Sequence, residues 1–177
     1  MIKQFRKTFL LACLMILAVA PIALAQERNI QEKAAHFISL YNKKAFLGAT
    51  TLFNFPADYS NKELREDKNA ISKTLNMFYE EFGKIASIEK IDNLSLYYFV
   101  TIGGGNFPYW QKYPDVYNSF YKVKFSREGK GYVVLVFCHI SDRWEIRQVN
   151  YGLPADQPKS QERILDINKK FMKLMGQ

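Results

Sequence analysis

Tyr132-Val133-Val134-Leu135-Val136-Phe137-Cys138-His139 is apolar at nearly every position, the pattern of a central strand covered on both faces. Directly before it stands Arg127-Glu128-Gly129-Lys130-Gly131, a hairpin turn. Upstream of that turn, Tyr117 to Ser126 sets Tyr121, Val123 and Phe125 against Phe120, Lys122 and Lys124, the period-two alternation of a strand. Downstream, Ser141-Asp142 turns the chain into Arg143 to Tyr151. A further strand is expected at Asn93 to Ile102, with Leu94, Leu96, Tyr98, Val100 and Ile102 on one face and Ser95, Tyr97, Phe99 and Thr101 on the other, ended by Gly103-Gly104-Gly105. The expected sheet is antiparallel and sequential.

Helices flank this β-rich half. Ile30, Ala34, Phe37, Ile38 and Tyr41 recur at helical spacing over residues 28–47, which reads as an amphipathic helix ended by Gly48. A connector with Pro56 leads to Ser60-Asn61-Lys62-Glu63, a capping-box signature. The helix that follows carries the stripe Ile71, Leu75, Phe78, Phe82 and Ile85. Residues 152–159 form a linker, and Ser160 is read as the N-cap of a last helix with Ile164, Ile167, Phe171 and Leu174 on one side. In that helix Glu162 and Asp166 sit early and Lys169, Lys170 and Lys173 late, which complements the helix dipole.

The N-terminus reads as an export signal. Lys3, Arg6 and Lys7 are followed by an apolar run from Phe9 to Ala20, Pro21, and Ala23-Leu24-Ala25 before Gln26; cleavage is expected between Ala25 and Gln26. The run is shorter than the ~20 residues that span a bilayer. Cys13 lies inside it rather than at its end, which argues against a lipid-bearing first residue. The expected organisation is a signal at 1–25, an α+β domain at 26–159 and a C-terminal helix at 160–177 packed on it. A periplasmic or secreted protein follows, with no stable membrane span after cleavage.

The formal net charge is +8, and loss of the signal removes three basic side chains and no acidic one. The remaining basic residues, such as Lys43-Lys44, Lys122, Arg143 and Lys169-Lys170, are scattered, whereas nucleic-acid binding wants them gathered on one face. Nucleic acid is therefore not an expected partner. With 48% hydrophobic and 15% aromatic residues the chain is a globular domain, not a disordered one. Cys138 has no partner once Cys13 is removed, which excludes a disulfide scaffold and a multi-cysteine zinc site.

The helix–helix–sheet order, the glycine turn at Gly129 to Gly131, and the turn followed by Trp144 and Ile146 resemble the nuclear transport factor two-like superfamily, which includes ketosteroid-isomerase-like enzymes. The resemblance spans roughly residues 28–151. It implies two N-terminal helices packed on a curved, cone-like antiparallel sheet, with the C-terminal helix as an extension. In the catalytic members of that superfamily an acidic base faces an oxyanion donor inside the cone. Here the strands offer Tyr98, Tyr121, Tyr132 and His139 but no clear carboxylate: Asp92 precedes a strand, Asp142 lies in a turn, and Glu145 alternates with Trp144 and Ile146 and so faces out.

His36 and His139 are the only histidines, and His36 has Ser39 and Leu40 where a helical ligand partner would stand; no metal and no cofactor are expected. Cys138 and His139 are strand neighbours that point to opposite faces, so they make no nucleophile–base pair. The unusual stretch is 103–121, with Phe107, Tyr109, Trp110, Tyr113 and Tyr117 behind a triple glycine. Such a loop can form a lid or an aromatic platform, or fold back over the sheet. The candidate ligand-binding residues are Tyr98, Phe107, Tyr109, Trp110, Tyr113, Tyr117, Tyr121 and His139.

The leading expectation is an exported domain that binds a small molecule, glycan or envelope protein at the cone mouth, with no assigned chemistry. Two alternatives stand beside it. One is an isomerase- or hydrolase-type enzyme using a pocket Tyr or His with an unidentified acid, and the other is a structural envelope homodimer.

Overall fold

The structure, a computed structural model, describes residues 26–92, 94, 96–103, 116–140 and 142–176. The expected signal at 1–25, and Phe107, Tyr109, Trp110 and Tyr113 of the aromatic loop, lie outside the described residues. The chain divides into two compact units between Ala35 and His36. In the first, residues 26–35 are helical, with Arg28 Nε 3.0 Å from Glu32 Oε1 one turn on. Among the described residues, no helix is long and apolar enough to cross a membrane.

The first helix, α1, covers 26–42, shorter than the sequence suggests. It stops at Lys44, whose φ of 57° is left-handed, and not at Gly48. Ala45 N–H donates to Leu40 O at 2.9 Å and Lys44 N–H to Tyr41 O at 3.0 Å, the paired bonds of a Schellman cap. Gly48 instead falls within α2, Phe46–Ala49, which runs into a single 3-10 turn, Thr50–Leu52. The expected capping box opens α3, Asn61–Phe82. Ser60 Oγ accepts from Glu63 N–H at 3.2 Å and Glu63 Oε2 accepts from Ser60 N–H at 2.8 Å. Leu75, Phe78 and Phe82 are fully buried. Ile85 does not extend their stripe, because Gly83 ends the helix and Ile85 begins a strand.

Among the described residues the sheet has five strands: β1 Ile85–Ile91, β2 Tyr97–Gly103, β3 Val116–Phe125, β4 Gly129–Ile140 and β5 Arg143–Pro154. Every pairing is antiparallel. The order is β1-β3-β4-β5-β2, so the expected sequential sheet is corrected. Only β3, β4 and β5 form a meander; β2 crosses to the free edge of β5, and β1, which the sequence reading did not resolve, takes the edge of β3. Strand β4 is buried at every position from Gly131 to Cys138, as its unbroken apolar run requires. Register breaks at Ala86 in β1 and at Arg147 in β5 are bulges, which bend a strand and increase its twist. Beyond the reach of β2, Phe53 forms a parallel bridge to Ile146.

An aromatic core joins α1, α3 and the sheet. Phe82 lies 4.9 Å from Phe125 and 5.7 Å from Tyr151 between ring centroids, Phe78 lies 5.1 Å from Tyr151, and Tyr41 lies 5.6 Å from Tyr151. Edge and offset contacts of this kind add about 0.5–1.5 kcal/mol per pair beyond the area buried. Tyr41 OH donates to Gly83 O at 3.2 Å, which ties α1 to the end of α3. Burial pushes the phenols of Tyr41 and Tyr151 well above their ordinary value. Both are neutral when folded, and the unfolded chain releases their protons above about pH 10. Stability is therefore intact below that pH and falls as pH rises, by up to ~1.4 kcal/mol per unit for each group. Urea titrations should show an alkaline loss of about 2–3 kcal/mol by pH 11, and Tyr41→Phe should reduce its slope. An equal slope in that variant would remove Tyr41 from the account.

The last helix, α4, spans Ser160–Leu174. Its N-cap is Lys159, with φ of 67° and no side-chain capping bond, and the expected cap Ser160 is the first helical residue, buried. Ions hold the helix where capping does not. Arg163 Nε donates to Glu128 Oε1 at 2.6 Å, and its Nη2 lies 3.0 Å from Glu81 Oε2. Lys170 Nζ lies 3.1 Å from both Glu81 Oε1 and Asp166 Oδ2. The two glutamates are mostly covered, at 16% and 19% side-chain exposure. Removing the guanidinium leaves both without their central partner, so Arg163→Ala should cost about 1–3 kcal/mol, between the values for exposed and buried pairs. Arg163→Lys should recover only part of that, because it loses the fork. Equal urea midpoints for Arg163→Ala and the parent would show that packing alone seats α4.

Candidate functional site

Strand pairing decides which candidates meet. Tyr151 faces the helices, since its ring contacts Phe78 and Phe82 of α3. Its neighbours in the same row are Val133 on β4, Tyr121 on β3, Lys90 on β1 and Val100 on β2, because directly paired residues share a face. The next row along holds Ile102, Val149, Leu135 and Ser119. Beyond it come Ile146, Phe137 and Tyr117, and at the end Trp144 and His139. Tyr98 pairs with Leu153, one row the other way.

The four described candidates, Tyr98, Tyr117, Tyr121 and His139, thus share the helix-facing side of the sheet, but they do not form one cluster. Tyr98 stands on β2, three strand spacings from Tyr121, or about 14 Å, and at the opposite end from His139. Two local groups remain. At one end Trp144 packs with His139 at 5.0 Å and with Tyr117 at 6.2 Å between ring centroids. Two rows inward, Ser119 and Tyr121 follow Tyr117 along β3.

Ser119 Oγ and Tyr121 OH are buried and make no hydrogen bond of normal geometry, and the two hydroxyls lie near enough to interact weakly with each other. Ser119 is 1% exposed and Tyr121 6%. An unmet hydroxyl in such surroundings costs about 1–3 kcal/mol, so two on adjacent rows of one strand are an expensive arrangement for packing alone. Burial pushes the Tyr121 phenol up, opposed by the neighbouring Ser119 hydroxyl and the Lys90 charge. It is protonated at neutral pH and can donate. Alternation along β3 puts Ser119 in phase with Tyr117 and Tyr121, so its side was legible although its role was not. Lys90 was hidden because its strand was not read.

No described strand residue paired into the helix-facing side is an Asp or Glu. Glu145 belongs to the other side, opposite Cys138, and is held by Arg143 Nε at 2.7 Å and Asn54 Nδ2 at 3.0 Å. Cys138 is fully buried, with Sγ 3.7 Å from Glu145 O, and His139 points the other way. Among the described residues no three His, Cys, Asp or Glu side chains gather as a metal site would need. No known family, curated protein or solved structure matches this chain.

Proposed function

We propose that the chain is an exported small-molecule-binding domain whose ligand lies against the helix-facing side of β3, between the Ser119–Tyr121 hydroxyls and the Tyr117–His139–Trp144 aromatic end. The observation that carries the reading is the pair of buried hydroxyls that make no hydrogen bond of normal geometry. A ligand polar at one end satisfies both, and the aromatic rows accept an apolar remainder. Export rests on the basic, apolar and small-residue pattern of the first 25 residues. The cone-like, nuclear transport factor two-like arrangement is proposed with it, supported by helices preceding an antiparallel sheet whose bulges bend it.

An isomerase- or hydrolase-type activity would need a carboxylate facing Tyr98, Tyr121 or His139, and the described strands supply none on that side. Native mass spectrometry of protein purified from its source tests the binding reading. The parent should carry an added small-molecule mass that a Ser119→Ala/Tyr121→Phe double variant lacks. Identical spectra, with the double variant melting at the same or a higher temperature, would make the hydroxyls mere defects of packing.

A further inference from the structure

We propose that the side of the sheet turned away from the helices docks on an anionic phospholipid surface, through Lys122, Lys124 and Lys130 beside an aromatic platform at β2. Strand pairing gathers these lysines. Lys122 and Lys124 alternate with Tyr121 and Val123 along β3 and so project from the opposite side. Lys124 pairs directly with Lys130 of β4. All three are exposed, and none lies in an ion pair among the described residues. Glu89 of β1 stands opposite Lys122 and offsets part of its charge, but Lys124 has only Ser87 on that side. Like charges directly opposite each other are destabilising, and an anionic surface relieves that repulsion.

The row that holds Lys122 continues across the sheet as Tyr132, Gly152 and Phe99. Glycine leaves the row open at β5, and the Tyr97 ring fills the opening: a β-carbon on Gly152 would lie 2.4 Å from Tyr97 Cδ2. Tyr97 is 5.7 Å from Tyr132 and 5.4 Å from Phe99 between ring centroids, so the three rings are continuous. Phe99 is 48% exposed, and Leu96, just before β2, is 81% exposed. Lysines beside exposed apolar side chains fit the boundary between lipid headgroups and acyl chains. Rings alone would also stack on sugars, but Leu96 has no π face and gains chiefly from an apolar environment. This surface is separate from the Ser119–Tyr121 site, which faces the helices, and neither reading depends on the other.

The test is vesicle flotation of the protein purified from its source, with vesicles of phosphatidylglycerol and phosphatidylcholine in equal parts or of phosphatidylcholine alone. The parent should float with the anionic vesicles and stay behind with the neutral ones. Raising salt from about 0.1 M to about 1 M, which cuts the screening length from about 10 Å to about 3 Å, should release most of it. Lys124→Gln/Lys130→Gln should weaken partition about thirtyfold, and Leu96→Ser about threefold or more. Lys169→Gln/Lys173→Gln, which removes the same charge from α4, should change it less than about twofold. Parent and variants share one N-terminus, so its basic and apolar residues cancel in the comparison. The Lys124/Lys130 variant loses a repulsion, and its urea midpoint should equal or exceed that of the parent. A lower midpoint would remove the repulsion and with it the reason for an anionic partner. Equal losses from the two double variants would reduce the effect to net charge and overturn the face. Equal flotation with both vesicle types would overturn the anionic requirement. Binding to the acidic polysaccharide alginate that displaces the vesicles and ignores Leu96→Ser would give the face to a glycan instead. A parent that floats with neither vesicle would overturn the proposal outright.

Discussion

Phe82→Ala is expected to lower the unfolding free energy by about 3–5 kcal/mol, the usual cost of emptying a packed aromatic site. Phe82 is fully buried, and its ring touches Phe78, Phe125 and Tyr151, which come from α3, β3 and β5. Because the neighbours belong to three elements fixed by their own hydrogen bonds, they cannot collapse into the space together. A domain of this size has about 5–15 kcal/mol in all, so the variant should unfold at a much lower urea concentration with an unchanged m value. Tyr151→Phe is the control. It keeps the ring and deletes a buried hydroxyl that has no partner, and should match the parent or exceed it by up to about 1–3 kcal/mol. A Phe82→Ala midpoint equal to that of the parent would mean that the aromatic cluster does not hold the sheet to α3.

Gly83→Ala is expected to cost about 2–4 kcal/mol, by a different route. Gly83 has φ of 81° and ψ of −164°, a region that essentially only glycine occupies. A β-carbon built there would overlap Ser126 Oγ and come within 2.9 Å of Arg127 Cγ. Those side chains cannot simply step aside. Ser126 Oγ accepts from Lys84 N–H at 2.9 Å, Ser126 N–H donates to Lys84 O at 2.8 Å, and Arg127 N–H donates to Phe82 O at 3.1 Å. The turn after α3 is in this way stitched to the turn between β3 and β4. Amide hydrogen exchange should show both turns losing protection together in Gly83→Ala. Loss confined to residues 83–85 would show that the two turns are not coupled.

The candidate site was legible only in part, and individual residues show why. Parity along β3 places Tyr117, Ser119 and Tyr121 on one side from sequence alone, since alternation is a local property of an extended backbone. Which side meets the helices is not local; it follows from Tyr151, on another strand, reaching Phe78 and Phe82. Tyr98 shows the same limit. Its facing was readable, but its distance from Tyr121 depends on β2 pairing with β5 rather than β3.

By itself the sequence determined the elements whose causes lie within a few residues. These include the capping box at Ser60 and Glu63, a hairpin between β3 and β4, whose turn is Ser126 to Glu128 while the glycines expected in it open β4, the doubly buried β4, and the buried Ile164 and Ile167 of α4, though Leu174 of the expected stripe is exposed. The tertiary structure decided what depends on partners far along the chain. Once β3, β4 and β5 form a meander, only two edges remain to pair with, and β1 takes one while β2 takes the other. Lys44 and Lys159 adopt left-handed turns that their side chains do not favour, because the packing of the elements on either side outweighs a local cost of about 1–2 kcal/mol. Lys90 comes to lie beside Tyr121 for the same reason: hydrogen bonding across a sheet joins residues that no local preference relates.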